Sequence, residues 1–362
     1  MKKLKEINSV SSFKISNNKL FFDSQKQLKI FDYDFISSIA IDDDFQLREV
    51  KDSICILSDT NEPNILIYSS LRKNIRLNNT SFLHFCNKNI LLYDREIKAT
   101  IFYDAVANCE IGRIEERLGN KIHCFENFVV ANPIFDNTKL VYYSTNTFSN
   151  LWQYDLPEGV YNWIDGSGRN TKGEIERIIG VYEGVLWLSL NSGRLLGLSV
   201  KDGFLLYNIS QPNLYPQGYV FREENKYLWY GRHWQLDTEK GVLFGLTSCY
   251  YFELDLNNPN ETFAFYDISP TCEQHHIKAN MPVLEWSWQG DEVFFGDTDF
   301  KNQPSHVGIF NRKTRQITWT SRELGEDGIF KGINKVEYQD NRLYVLDRAS
   351  TLHIFERDSP TN

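Results

Sequence analysis

Residues 343–356 read LYVLDRASTLHIFE. Two runs of aliphatic and aromatic residues, LYVLD at 343–347 and LHIFE at 352–356, flank a short polar link, which is the pattern of a β-hairpin. The second run follows a simple rule: an apolar residue, any residue, an apolar or amphipathic residue, usually an aromatic or Leu, then usually a polar closer. Seven further copies lie upstream: LKIFD (28–32), ILIYS (65–69), TIFYD (100–104), LWQYD (151–155), LGLSV (196–200), YFELD (251–255) and VGIFN (307–311). LGLSV fits the rule least well. Each copy follows a more continuously apolar run, mostly 9 to 11 residues earlier, such as LFFD at 20, ILLYD at 90 or VLWLS at 185. The hairpin is therefore a repeating unit.

Start-to-start spacings are 37, 35, 51, 45, 55, 56 and 45, with 38 from the last copy through the chain end back to the first. A hairpin plus further strand-length segments every ~45 residues is the signature of a β-propeller, whose four-stranded blades cannot bury their apolar faces alone. The expected fold is all-β, a single propeller domain over 1–362 with eight four-stranded blades, or seven if one of the short first units is irregular. The word at 352–356 is followed only by a polar tail, so the last blade lacks an outer strand. Lys3 to Asn8 is expected to supply it and close the ring, with Phe13 to Ile15 as the alternative. A β-sandwich or a pair of smaller β domains is the competing arrangement. It predicts a compositional break, yet the longest acidic run is only Asp42-Asp43-Asp44 and no Pro-rich or Gly/Ser-rich linker interrupts the pattern.

Composition supports strands and limits the function. The 362 residues are 41% hydrophobic and 14% aromatic, with only 2 Met, a mixture that favours sheet over helix. A formal charge of −9 argues against nucleic-acid binding, which needs a basic surface for phosphate contacts, and favours a basic or neutral partner. The opening Met1-Lys2-Lys3-Leu4-Lys5 leads into Glu6, Asn8 and Ser9 instead of an apolar export core, so a cytoplasmic protein without membrane contact is expected. The 6 cysteines are scattered with no Cys-x-x-Cys pair, which suits buried thiols in a reducing compartment.

The strand words resemble those of the broad propeller superfamily that includes Trp-Asp repeats and quinoprotein-like repeats. Residues 193–209, GRLLGLSVKDGFLLYNI, are similar to the quinoprotein-like pattern of strand, Asp-x-x-x-Gly turn and strand, although Asp202-Gly203 makes the turn without that spacing. The Gly-His and Trp-Asp signatures, kelch Gly-Gly pairs and sialidase Asp boxes are absent, so the resemblance implies architecture only. KYLWYGRHWQLDTEKGVLFGLTSCYYFELDL (226–256), with NLWQYDL (150–156), resembles bacterial propellers associated with interbacterial toxin loci. That resemblance implies an immunity protein that binds and blocks a cognate toxin.

Candidate chemistry is sparse. Cys272, His275 and His276 in CEQHH offer thiolate and imidazole ligands, but half a zinc site has no partner motif elsewhere, so a polar loop between blades is expected. Asp297-Thr298-Asp299 begins like a calcium loop but places Lys301 at an oxygen-ligand position and lacks the turn glycine. GSGRNTKGE (166–174) puts Glu174 where a phosphate loop needs Lys, and Ser167 has no identifiable base, so neither phosphate binding nor nucleophilic catalysis is supported. No catalytic residue, cofactor or metal is assigned. Paired carboxylates gathered from different blades stay open, because sequence spacing says nothing about their distance.

The second half of the chain, where the repeats are longest, has room for functional loops. Tyr215, Tyr219, Phe221, Trp229, Tyr230, Arg232, His233 and Trp234 form one aromatic group, and His275, His276, Trp286 and Trp288 another. Trp, Tyr and Arg anchor protein interfaces by combining large apolar area with a polar handle. Alternation in Trp286-Ser287-Trp288 puts both indoles on one strand face. Each aromatic weighs against the plainer role of filling space between blades. The expected function is a non-enzymatic, protein-binding propeller, a monomer with a protein partner, in its finer form a basic toxin domain. The alternatives are a carbohydrate-active hydrolase or lyase using stacked aromatics beside channel acids, and a scaffold subunit of a larger assembly.

Overall fold

A computed structural model describes residues 1–24, 26–32, 35–41, 45–52, 54–69, 72–164, 169–210, 234–247, 250–277, 286–297 and 305–357. The fold is an all-β propeller of eight four-stranded blades. Blade 1 is β2 (Val10–Ser16), β3 (Lys19–Ser24), β4 (Gln27–Asp32) and β5 (Phe35–Ala40), after the N-terminal β1 (Lys2–Ile7). Blade 2 is β6 (Phe45–Lys51), β7 (Ile54–Asp59), β8 (Ile65–Ser69) and β9 (Arg72–Leu77). Blade 3 is β10 (Thr80–Cys86), β11 (Asn89–Asp94), β12 (Ala99–Asp104) and β13 (Cys109–Ile114). Blade 4 is β14 (Leu118–Phe125), β15 (Phe128–Pro133), β16 (Lys139–Ser144) and β17 (Asn150–Asp155), and a small hairpin of β18 (Trp163–Ile164) and β19 (Asn170–Thr171) follows it. Blade 5 is β20 (Ile175–Tyr182), β21 (Val185–Leu190), β22 (Leu195–Ser199) and β23 (Leu205–Ile209). Blade 6 is β24 (Gln235–Asp237), β25 (Val242–Thr247), β26 (Tyr250–Asp255) and β27 (Ala264–Asp267), followed by the short helix α1 (Ser269–Gln274). Blade 7 is β28 (Trp286–Gln289), β29 (Glu292–Asp297), β30 (His306–Asn311) and β31 (Gln316–Thr320), then a 3-10 helix over Ser321–Gly328. Blade 8 is β32 (Ile333–Gln339), β33 (Arg342–Asp347), β34 (Leu352–Glu356) and, from the other end of the chain, β1.

The closing strand is the one expected. β1 runs antiparallel to β34, with Lys2 opposite Glu356 and Ile7 opposite Leu352. Phe13 and Ile15, the alternative, lie instead on β2 and pair with Phe22 and Leu20. Around the closure, His353 Nε2 lies 3.1 Å from Asp347 Oδ2, and Nδ1 lies within ion-pair distance, 3.0 Å, of Glu6 Oε1 on β1. Glu6 and His353, 347 residues apart in sequence, thus lie side by side on paired strands.

The repeated words are the second and third strands of the blades. Where both faces of such a strand meet neighbouring blades of the same unit, it reads as a continuous apolar run: β33 clusters Leu343 and Val345 with blade 7 and Tyr344 and Leu346 with blade 1. One word departs from this register. LWQYD is β17, the fourth strand of blade 4, and the hairpin before it is β15–β16, whose second strand, Phe128–Pro133, ends in Asn-Pro and escapes the pattern. That shift accounts for the uneven spacing of 51 before LWQYD. Fourth strands are more polar, as in β13 and β17, because their outer faces meet solvent.

The chain forms two compact units. Met1–Asn78, Thr247–Tyr250 and Asp267–Asn362 make one, essentially blades 1, 2, 7 and 8; Asn79–Leu246 and Tyr251–Tyr266 make the other, essentially blades 3 to 6. Within each unit the core lies between blades. In the first, Phe13 and Phe22 of blade 1 cluster with Tyr344, Leu352 and Ile354 of blade 8. In the second, Val130 and Tyr142 of blade 4 cluster with Ile178, Leu186 and Leu196 of blade 5. Truncating a residue such as Phe22 to Ala would cost about 3–5 kcal/mol, since its side chain is shared by two sheets.

A β-bulge recurs in the first strand of six blades among the described residues, at the steps Val10/Ser12, Leu47/Glu49, Phe82/His84, Leu118/Ile122, Ile175/Arg177 and Ile333/Lys335. A bulge inserts an unpaired residue and re-aims the side chains after it. Strict alternation therefore fails in these first strands, and charged residues reach positions where a regular strand would place apolar ones.

Candidate functional site

Of the first aromatic group, Tyr215, Tyr219, Phe221, Trp229, Tyr230, Arg232 and His233 lie outside the described residues. Trp234 is fully buried. Its indole meets Phe252 and Phe263 edge-on, with ring centroids 4.5 and 5.0 Å away, in the core between blades 5 and 6. This corrects the surface role expected for Trp234: an indole with no solvent access serves packing, the plainer role weighed for each aromatic.

The second group is divided. Cys272 sits in α1, buried, and the expected polar loop is a helical turn: His275 and His276 cap it through amide bonds to Thr271 and Glu273 carbonyls. Thr271 Oγ1 accepts the Ile317 amide at 3.0 Å, and Arg322 donates to the His276 carbonyl at 3.2 Å, so α1 is fastened to β31, the outermost strand of blade 7. Trp286 and Trp288 stand half-buried on β28, the innermost strand of the same blade, and the Arg312 guanidinium lies 5.6 Å from the Trp288 ring centre. Three inter-strand steps separate the two strands, about 14 Å. The two tryptophans thus lie on the innermost strand of blade 7, and the helix that the two histidines cap lies against the outermost. Asp297 ends β29 and is buried, while the rest of the calcium-like stretch lies outside the described residues, as does Ser167. Among the described residues no group of three or more His, Cys, Asp or Glu side chains is arranged to hold a metal ion.

Two features of the second unit were not legible in the sequence. The first is an apolar edge. Phe204 is 70% exposed and Leu206 52% at the start of β23, the outermost strand of blade 5. On the outermost strand of blade 4, Leu151 is 49% exposed, and the adjoining Trp152 donates its indole N–H to the Val200 carbonyl at 2.9 Å. Trp152 also packs over Gly203, whose positive φ of 76° forms the turn into Phe204. The sequence signal, FLL after Asp-Gly, is the same as that of a buried strand, so only the exposure distinguishes it.

The second feature is a cleft of about 800 Å³ walled by the innermost strands of blades 3, 4 and 5. His84 comes from β10, Lys121 and His123 from β14, and Glu174, Glu176 and Arg177 from the start of β20. Burial holds the His123 imidazole down at about 4, helped by the proximity of His84 and Arg177. Burial also lowers Arg177, whose guanidinium donates to the Trp234 carbonyl at 3.0 Å. Lys121 Nζ donates to the Ile175 carbonyl, and Asn137 links Glu174 to the buried Asn132 through bonds of 3.2 Å each. The bulges decide this lining: Leu83 and Glu176 are the inserted residues, and His84 and Arg177 follow them directly. The cleft holds two carboxylates, and among the described residues no Trp, Tyr or Phe lines it.

Comparisons with known proteins agree with the fold. No protein-family model and no curated protein matches the sequence. Among solved structures, the chain is similar to the computationally designed Ika8 protein, with a TM-score of 0.63 and 9% identity over 98% of both chains. It is similar to BamB from Moraxella catarrhalis, with a TM-score of 0.59 and 12% identity over 98% of this chain and 99% of that one. It is also similar to Hsv2 of Kluyveromyces lactis, with a TM-score of 0.52 and 9% identity over 87% of this chain and 99% of that one. At these identities the likeness shows a shared β-propeller architecture, the fold to which this chain's eight blades belong.

Proposed function

We propose that this protein is a non-enzymatic binding platform whose partner is another protein. The observation that supports this reading is the exposure of Phe204 and Leu206 at the outermost strand of blade 5 and of Leu151 at that of blade 4, apolar side chains that the core does not require. Tyr215, Tyr219, Phe221, Trp229, Tyr230, Arg232 and His233 follow β23 in the sequence, and their residue types suit the same task of binding a protein partner. The net charge of −9 would steer a basic partner toward the surface. In its finer form the proposal is a cytoplasmic, monomeric immunity protein that covers a cognate bacterial toxin, the role implied by the sequence resemblance at 226–256.

Co-expression with the product of the neighbouring gene tests this. The wild-type protein is expected to co-purify with that product and suppress its toxicity, and the double substitution Phe204→Lys/Leu206→Lys is expected to weaken capture at least tenfold without unfolding the chain. Failure of the wild type to bind or to suppress toxicity removes the immunity reading. Capture undiminished by the double substitution removes the edge as its interface.

A further inference from the structure

In blades 1, 3, 4, 5 and 8 two residues join the first strand to the second, and the first of the two has a positive φ. These residues are Asn17, Asn87, Glu126, Glu183 and Asp340, with φ between 45° and 53°. Asn and Asp tolerate left-handed backbone because their short side chains bond locally, a compensation that Glu lacks. The two adjacent blades 4 and 5 nevertheless carry Glu. The turn itself favours Asn at both places, so the longer carboxylates need another reason.

Both glutamates are exposed, and among the described residues neither carboxylate has an ion-pair or hydrogen-bond partner. Apolar side chains stand beside them. In blade 5 the Val200 amide donates to the Gly184 carbonyl at 2.9 Å, which sets the Glu183 turn against the turn that leads into Phe204. The Val200 carbonyl accepts the Trp152 indole N–H of blade 4, also at 2.9 Å, and so fastens the two blades together at this end. Asp202 Oδ1 accepts the Phe204 amide at 3.3 Å, which fixes the turn from which Phe204 and Leu206 reach solvent. Among the described residues, the turns at this end of blades 4 and 5 hold Glu126, Glu183 and Asp202 against Lys201. The charge decides what can cover the apolar side chains. An acidic surface is repelled and a neutral one desolvates the carboxylates without pairing them, whereas Lys or Arg flanking an apolar stripe satisfies both features.

We infer that this end of blades 4 and 5 binds a basic amphipathic segment of the protein partner, with apolar side chains over Phe204 and Leu206 and Lys or Arg paired with Glu126 and Glu183. This binding mode rests on the platform function proposed above and adds what the partner must present.

Fluorescence anisotropy tests it with the full-length protein and three labelled peptides of equal length: Lys and Leu in an amphipathic pattern, Lys and Ser with the same charge, and Glu and Leu with the same apolar stripe. Only the Lys/Leu peptide is expected to bind saturably at about 50 mM salt, and raising the salt to about 300 mM should weaken it at least threefold. Glu126→Asn/Glu183→Asn supplies the residues the turns favour, so it should keep or raise the thermal midpoint while weakening the Lys/Leu peptide at least threefold at low salt. Phe204→Ser/Leu206→Ser should weaken it at least tenfold. The inference is overturned if the Lys/Leu peptide does not bind, if either control peptide binds as well, or if the folded Glu126→Asn/Glu183→Asn protein binds it as the wild type does. Binding to phosphatidylcholine vesicles in place of the peptide also overturns it and assigns Phe204 and Leu206 to a membrane. If Phe204→Lys/Leu206→Lys loses the neighbouring gene's product while no peptide binds the wild type, the platform function stands and only the basic amphipathic partner falls.

Discussion

Replacing Asp347 with Ala tests how the ring is held shut. Asp347 is 4% exposed at the end of β33, where Oδ1 accepts the Thr351 amide at 2.9 Å and Oδ2 lies 3.1 Å from His353 Nε2. Truncation leaves a backbone N–H and a buried imidazole without that acceptor, each worth about 1–3 kcal/mol, so a loss of about 2–5 kcal/mol is expected. Asp347→Asn keeps one oxygen and should cost less than Ala. The pH dependence has a defined sign. Burial works to raise the Asp347 pKa, but the bonds from His353 and the Thr351 and Ala349 amides outweigh it and hold the carboxyl below its ordinary value. Its contribution is therefore full above the unfolded carboxyl pKa of about 3.9 and is lost as the pH falls through the lower folded value. Urea denaturation of wild type, Asp347→Ala and Asp347→Asn at pH 7 and at pH 3 reads both effects, and hydrogen exchange at the β1 amides reports whether the closing strand opens first. An Asp347→Ala protein within 0.5 kcal/mol of wild type at pH 7, with β1 protection unchanged, would refute the reasoning.

Asp23 bridges blades 1 and 2, with Oδ1 accepting the Ser12 amide at 2.7 Å and Oδ2 the Leu47 amide at 3.0 Å; Asp23→Asn can satisfy only one and should lose about 1–3 kcal/mol in thermal or urea unfolding. His123, held neutral down to about pH 4, makes the folded protein bind fewer protons than the unfolded chain, so this group's contribution to stability should fall as pH drops from about 6.5 to about 4; an NMR-observed His123 midpoint near 6.5 would contradict it. Gly203→Ala combines a positive φ with a Cβ placed 2.8 Å from the Trp152 ring, and should cost about 1–3 kcal/mol, measured by the thermal midpoint.

Strands such as Leu343–Leu346 could be recognised in the sequence because neighbouring blades cover both their faces, and similar apolar runs recur along the chain. The closing role of β1 was legible for a related reason: a last blade ending at Glu356 needs a fourth strand, and Lys3 to Asn8 is the nearest strand-length segment left over. The fourth strand of blade 4 was misplaced by one position because Leu151 and Trp152 imitate a buried strand from an outer edge. Local composition cannot tell a side chain facing a neighbour from one facing water.

The site lies on the other side of that divide. His84, His123 and Arg177 are 39 and 54 residues apart along the chain, in segments with no shared motif. They meet because three first strands lie side by side and because bulges at Leu83 and Glu176 shift the facing of the residues after them. Trp234 shows the converse, an aromatic whose composition suited an interface and whose place in the packing made it core. Short-range pattern determined the blades and their order, since each strand's apolar face is a local property of the chain. The lining of the cleft and the exposed edge at Phe204 were decided by tertiary structure alone, since they depend on which strands become neighbours and where each ladder slips by a residue.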